Sequence, residues 1–315
     1  MKTIAITMGD PLGIGPEIAV QTLADAHIQK CCNPVLVGDR AVLDVAAKLC
    51  GIPDFEARFG HQIYHVPGNI KDPLTLAGTV QAHGGQAAYD CICAAHELCI
   101  SGKADAVATA PINKESLKAA KVPYIGHTEI FAALTNAYDP LTMFETTGLR
   151  IFFLTRHMSL KAACEAVTEE RVLDYIRRCT LALRNIGITQ GTLAVAGLNP
   201  HSGEHGLFGS EEMEAIVPAV RKAKAEGYDV EGPVSADSVF HLAHKGRYTA
   251  VLSLYHDQGH IAAKTLDFHR TISITHGLPY LRTSVDHGTA FDIAWKGSAD
   301  PISMQEAVRL ASLYA

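Results

Sequence analysis

Three histidines in this chain each stand just past an apolar run: RIFFLTRH ends at His157, TLAVAGLNPH at His201 and AVLSLYH at His256. Ligands of open α/β sheets collect outside the carboxyl ends of the strands. Three imidazoles placed there make a candidate facial ligand set for one divalent ion, with positions left for substrate or water. Such a set leans toward zinc or cobalt, with magnesium and manganese as alternatives. The opposing reading is three ordinary loop histidines in a chain that carries 16. The N-terminal stretch TMGDPLGIGPE is a second feature. It follows a strand pattern and opens a helix like a dinucleotide fingerprint, but Ile18 stands where the third glycine belongs. A tight strand-to-helix turn is the plainer reading. Asp39, after the second apolar run, is then a helix cap and not a ribose-binding acid. Cys91 and Cys93 have the spacing of a metal pair, but the helical pattern around them points to core packing.

Residues of this kind need elements to present them. Candidate strands are Thr3–Thr7, Pro34–Val37, Gln62–Val66, Asp105–Thr109, Ile151–Thr155, Thr192–Ala196, Ala250–Leu254 and Thr271–Thr275. Several are apolar throughout, as strands covered on both faces should be. Amphipathic stretches alternate with them at Pro16–Ala26, Arg40–Cys50, Gln86–Ser101, Glu169–Gly187 and Glu211–Gly227. Asp39 and Ser210 suit N-caps, and Pro218 predicts a kink or early break in the last helix. The alternation predicts an α/β protein with a mainly parallel sheet. The 315 residues, 48% apolar and 19% charged, suffice for a large core, roughly two domains' worth. A net charge of −6 argues against a nucleic-acid or anionic-membrane surface. An anionic substrate would therefore need a local basic cluster. No apolar run approaches a membrane span, and MKTIAITMGD lacks the features of a signal peptide. The eight cysteines then read as reduced thiols of a cytoplasmic protein.

Several longer blocks carry a resemblance. GDPLGIGPEI, GHTEIF, GLNPHSGE, ADSVF, YHDQGH and GLPYLRTSVDHGTAFDIA together resemble the 4-hydroxythreonine-4-phosphate dehydrogenase family, from about residue 3 to the end. HGTAFDIAWKGSADP also looks like the cofactor segment of isopropylmalate and isocitrate dehydrogenases. The resemblance implies an isopropylmalate dehydrogenase-like fold, with two α/β domains around a central active-site cleft in a homodimer. The expected division is residues 1–125 plus 285–315 on the cofactor side, and 126–284 for metal, substrate and dimerisation. The resemblance also implies His157, His201 and His256 as metal ligands, with His256 serving the partner subunit's site. His157 and His201 are expected to meet within one subunit. It implies His127, Thr128, Lys264 and Arg282 around a substrate phosphate, Asp237 and Asp257 near the substrate, and His287, Gly288, Ala290 and Asp292 at NAD or NADP. Cationic and hydroxyl donors are what a phosphate dianion requires.

One position departs from the family: Ser273 stands where an asparagine is usual, and its short hydroxyl cannot present a carboxamide. The reaction implied is oxidation of a phosphorylated 3-hydroxy acid, 4-phosphohydroxy-L-threonine, followed by β-decarboxylation. Asp237, Asp257 and Lys264 are the candidate proton acceptors. TAPINKE, LFGSEE and FDIAWKGSA look closer to a branch acting on threonate or erythronate 4-phosphate, which would yield dihydroxyacetone phosphate. A branch acting on the cis-dihydrodiol of terephthalate needs no phosphate clamp, and GHTE and RTSVDHG argue against it. Rival readings are a metal-dependent phosphohydrolase or aldolase, which would not need the HGTAFDIA segment, and a metabolite-binding regulator, against which the three histidines argue.

Overall fold

The computed structural model describes residues 1–315. Eleven strands occur: β1 (Thr3–Thr7), β2 (Asn33–Gly38), β3 (Ile63–His65), β4 (Ala106–Thr109), β5 (Leu141–Thr146), β6 (Leu149–Phe153), β7 (Leu193–Ala196), β8 (Val230–Val234), β9 (Ala250–Ser253), β10 (Ile272–His276) and β11 (Leu281–Val285). Eight coincide with the apolar runs. The other three, β5, β8 and β11, lack a continuous aliphatic run, and β8 carries Gly232-Pro233, a pair that a sheet edge tolerates.

Two compact units result, Met1–Pro140 with Ile272–Ala315, and Leu141–Thr271. The limits lie at 140 and 271, not at 125 and 284. The helix His127–Thr135 and the hairpin of β10 and β11 belong to the first unit, where β11 pairs with β4 in parallel register. Strand order in this unit is β3-β2-β1-β4-β11-β10, all parallel except β10 against β11. In the second unit it is β5-β6-β9-β7-β8, all parallel except β5 against β6. The central strands β1, β4, β7 and β9 are buried at nearly every position, as their unbroken apolar sequences require. No helix is long and apolar enough to cross a membrane.

Helix boundaries follow local chemistry. Asp39 accepts from the Ala41 N–H at 2.9 Å and from the Gly68 N–H at 2.6 Å, so it is a cap and a loop clamp. Ser210 does not cap. The following segment opens as a π-turn over Glu212–Ile216 and becomes regular at Val217–Ala225, with Pro218 in its first turn. Cys91 is buried in the helix Ala82–Ile100 and all eight cysteines are free thiols.

The N-terminal turn is locked from the far end of the sequence. Ile14 N–H donates to Thr289 O at 3.0 Å and Trp295 Nε1 to Pro11 O at 3.0 Å. The buried Glu17 carboxylate accepts from Trp295 N–H at 2.6 Å and Gly297 N–H at 2.8 Å. A Cβ on Gly15 would lie 2.2 Å from Met8 O, so only glycine lets the helix start so close to β1. We expect Gly15→Ala to destabilise the protein by about 3 kcal/mol, seen as a Tm several degrees lower. Gly288→Ala, where a Cβ meets nothing within 4 Å, should leave Tm within about one degree. Equal Tm for both variants would contradict this packing.

Candidate functional site

The first unit contains a buried cation with no carboxylate among its hydrogen-bond partners, although the Glu129 charge lies near enough to favour its charged form. Arg282 on β11 is 4% exposed. Its Nη1 donates to Thr275 Oγ1 at 3.1 Å and its Nη2 to Thr109 Oγ1 at 2.9 Å. Its Nε is buried with no partner, and its guanidinium lies over the Phe131 ring at 5.3 Å. Burial pulls its pKa down to about 10, which leaves it charged at neutral pH. His127 opens the helix His127–Thr135, whose N-cap Gly126 offers no side-chain acceptor. Burial, then the nearby Arg282 charge, holds the His127 imidazole well below its usual range. The ring is therefore neutral, and its Nε2 is buried without a partner.

The arrangement suits an anion. An uncapped helix N-terminus presents backbone N–H groups and a favourable dipole. The adjacent guanidinium and neutral imidazole each retain an unused nitrogen. Thr128 lies half-buried in the same first turn, and Ser273 shares a face of β10 with Thr275 by strand alternation. The sequence did not single out Phe131, Thr109 and Thr275, which seat the guanidinium. Nor did it signal Tyr280, whose hydroxyl lies 2.7 Å from His96 Nδ1 and whose ring meets Phe131 edge-on.

The cofactor candidates lie in the first unit on the segment that packs against the N-terminal turn. His287 Nδ1 is 3.0 Å from Gly288 O, Gly288 and Asp292 are exposed, and Ala290 has a left-handed backbone at φ 43°. These two ends of the sequence thus meet through Thr289, Trp295 and Gly297.

The second unit carries the three strand-end histidines. His157 follows β6, and His256 opens the helix His256–Leu266 after β9. Their ring centroids are 5.8 Å apart. Both line an open pocket of about 460 Å³ with Arg156, Met158, Tyr255 and Asp257. Asp257 Oδ1 lies 2.7 Å from His256 Nδ1, which directs Nε2 as the available ligand atom. His201 does not line this pocket. Strand β9 lies between β6 and β7, so His256 is the in-chain neighbour of His157. His201 sits in a run of left-handed residues from His201 to His205, a conformation costing roughly 1–2 kcal/mol per non-glycine residue. The buried Glu212 carboxylate holds the run's entry, accepting from Leu198 N–H at 2.8 Å and Asn199 N–H at 2.7 Å. No three His, Cys, Asp or Glu side chains of the chain converge as an ion-holding group. Lys264 is on the His256 helix with its ammonium 5.5 Å over the Phe268 ring, and Asp237 is exposed in the first turn of Ala236–His244.

Comparison with known proteins adds to this geometry. The family model described as pyridoxal phosphate biosynthetic protein PdxA matches residues 30–311. A Clostridium botulinum protein provisionally named D-threonate 4-phosphate dehydrogenase is 56% identical, over 99% of this chain and 96% of its own length. The crystal structure of a 4-hydroxythreonine-4-phosphate dehydrogenase from Klebsiella pneumoniae is 40% identical with a TM-score of 0.87, covering 99% of this chain and 98% of the other. A terephthalate 1,2-cis-dihydrodiol dehydrogenase from Burkholderia xenovorans is 29% identical with a TM-score of 0.68, covering 99% of this chain and 98% of the other. The chain belongs to the PdxA family of pyridoxal phosphate biosynthetic proteins.

Proposed function

We propose that this chain is a divalent-metal- and NAD(P)-dependent dehydrogenase that oxidises the 3-hydroxyl of a four-carbon acid 4-phosphate, with β-decarboxylation. The observation that carries the reading is the buried Arg282 guanidinium beside a neutral His127, both with an unpartnered nitrogen. A phosphate dianion supplies the missing charge and acceptors at once. Anchored there, with Thr128 and the first-turn N–H groups as further donors, it would hold the reacting carbon at a fixed distance. D-threonate 4-phosphate is the substrate best supported, by the 56% identity to relatives bearing that name and by Ser273. 4-Phosphohydroxy-L-threonine is the second candidate, supported by the solved relatives.

His157 and His256 line one pocket, with ring centroids 5.8 Å apart. They would hold the metal, zinc or cobalt by donor type, with His201 as the third ligand. When bound, the ion would lower the pKa of the substrate hydroxyl, and the nicotinamide would accept hydride from the carbon that bears it. His287, Gly288, Ala290 and Asp292 would contact that cofactor. Asp257, tied to His256 Nδ1, fixes the tautomer of the ligand. Asp237 and Lys264 stay as candidate proton acceptors, on the family resemblance. A homodimer with shared sites is part of the reading, on the family resemblance, in which His256 serves the partner subunit's site. The eight free thiols accord with a cytoplasmic setting.

Two results test this. Arg282→Gln should raise KM for the phosphorylated substrate about 10- to 150-fold, the loss of about 1.5–3 kcal/mol expected for a charged hydrogen bond. The same substitution should change turnover of the dephosphorylated acid little, whereas an equal loss with both would remove Arg282 from the phosphate. Purified enzyme should form reduced nicotinamide from D-threonate 4-phosphate with kcat/KM at least about tenfold above that for 4-phosphohydroxy-L-threonine, a preference worth about 1.4 kcal/mol. The reverse ratio would exchange the two substrates. Release of inorganic phosphate without reduced nicotinamide would contradict the dehydrogenase reading.

A further inference from the structure

The segment YHDQGH places a second histidine one helical turn after His256. The His260 ring stacks on the His256 ring with centroids 3.6 Å apart and planes within 12°. Phe144 and Phe153 also pack on the His260 ring, at 4.4 and 4.5 Å between ring centroids. His260 Nδ1 is 2.8 Å from the carbonyl of His256, which fixes the ring on its own helix. Nothing in the reaction read above uses this histidine.

The neighbouring residues serve the same placement. A Cβ on Gly259 would meet Phe153 Cε1 at 2.5 Å and Ile151 Cγ2 at 2.8 Å. Glycine therefore lets the helix lie close on β6, which seats His260 against the phenylalanines. Gln258 accepts from Leu254 N–H at 2.7 Å and donates to Gly197 O at 2.8 Å, pinning the start of the helix to the ends of β9 and β7.

Two histidines four residues apart on one helix face are also a familiar metal pair. The geometry excludes that here. Imidazole lone pairs lie in the ring planes, and two nearly parallel planes 3.6 Å apart do not converge on one ion at about 2.0–2.1 Å from each nitrogen. We propose that His260 is a positioning residue, the stacking platform that holds the His256 imidazole toward the pocket it shares with His157. This rests on the reading of His256 as a metal ligand. His260 acts through ring contact, so an aromatic replacement should serve and an aliphatic one should not.

The test compares wild type, His260→Phe, His260→Leu and His256→Ala by Co²⁺ titration, followed by visible absorption, and by NMR of histidine-labelled protein. We expect His256→Ala to lose tight Co²⁺ uptake, His260→Phe to stay within about threefold of wild type, and His260→Leu to bind about 10- to 100-fold more weakly. The His256 Hε1 resonance, assigned by its disappearance in His256→Ala, should lie upfield in wild type and His260→Phe through the ring current of residue 260. In His260→Leu it should relax toward the ordinary position. If His260→Leu matches wild type in affinity and shift, or His260→Phe binds as weakly as His260→Leu, the proposal is overturned. A wild type that takes up no Co²⁺ yet keeps the upfield shift overturns the metal reading, and with it this role for the platform. Absence of the upfield shift from wild type overturns the stacking itself. Should His260→Leu fail to fold, the wild-type and His260→Phe measurements decide the matter.

Discussion

The Arg282 guanidinium is buried with two threonine hydroxyls and an aromatic face, and with no carboxylate among its hydrogen-bond partners. Burying an ion with no carboxylate hydrogen-bonded to it costs several kcal/mol, which the nearby Glu129 charge offsets in part. Its pKa falls only to about 10, so neutralisation is not the escape. Much of the first unit's local architecture follows from holding this charge in place. Strand β11 pairs with β4 so that Thr109 reaches one guanidinium nitrogen, and β10 pairs with β11 so that Thr275 reaches another. Phe131 brings the helix His127–Thr135 against the same cation, and the neutral His127 at its start avoids a second charge. A dianion bound there would complete this arrangement, which is the reading proposed above.

The second unit solves a different problem, the orientation of imidazoles. His157 hangs from a loop, but His256 is fixed on three sides. Asp257 takes Nδ1, His260 supports the ring face, and Gly259 with Gln258 sets the height of the helix. His201 is presented by a loop in left-handed conformation whose entry is clamped by Glu212. Such a loop is retained only where its surroundings over-determine it.

Much of this was legible in the sequence. Aliphatic runs such as LAVA and AVLS mark buried parallel strands because no other environment suits them, and their ends located all three histidines. Strand order was not legible: β9 intervenes between β6 and β7. Strands such as LRTSV were missed because a strand that lines a site carries polar residues. The limits of the compact units differ from the expected ones because His127–Thr135 and the β10–β11 hairpin join the first unit, the hairpin through the pairing of β11 with β4. The supporting residues Glu212, Phe131 and His260 announce themselves only by contact. Of these, His260 alone left a signal, its four-residue spacing from His256, and that spacing suggests a ligand before the ring planes are known.

The account turns on one claim, that the unpartnered nitrogens of Arg282 and His127 receive a phosphate. A crystal structure with D-threonate 4-phosphate bound, at a resolution that orders the phosphate oxygens, tests it most directly. We predict phosphate oxygens at about 2.7–2.9 Å from Arg282 Nε and His127 Nε2, the distance of charge-assisted hydrogen bonds. A phosphate anchored by other residues, with both nitrogens still unpartnered or occupied by water, would contradict the account.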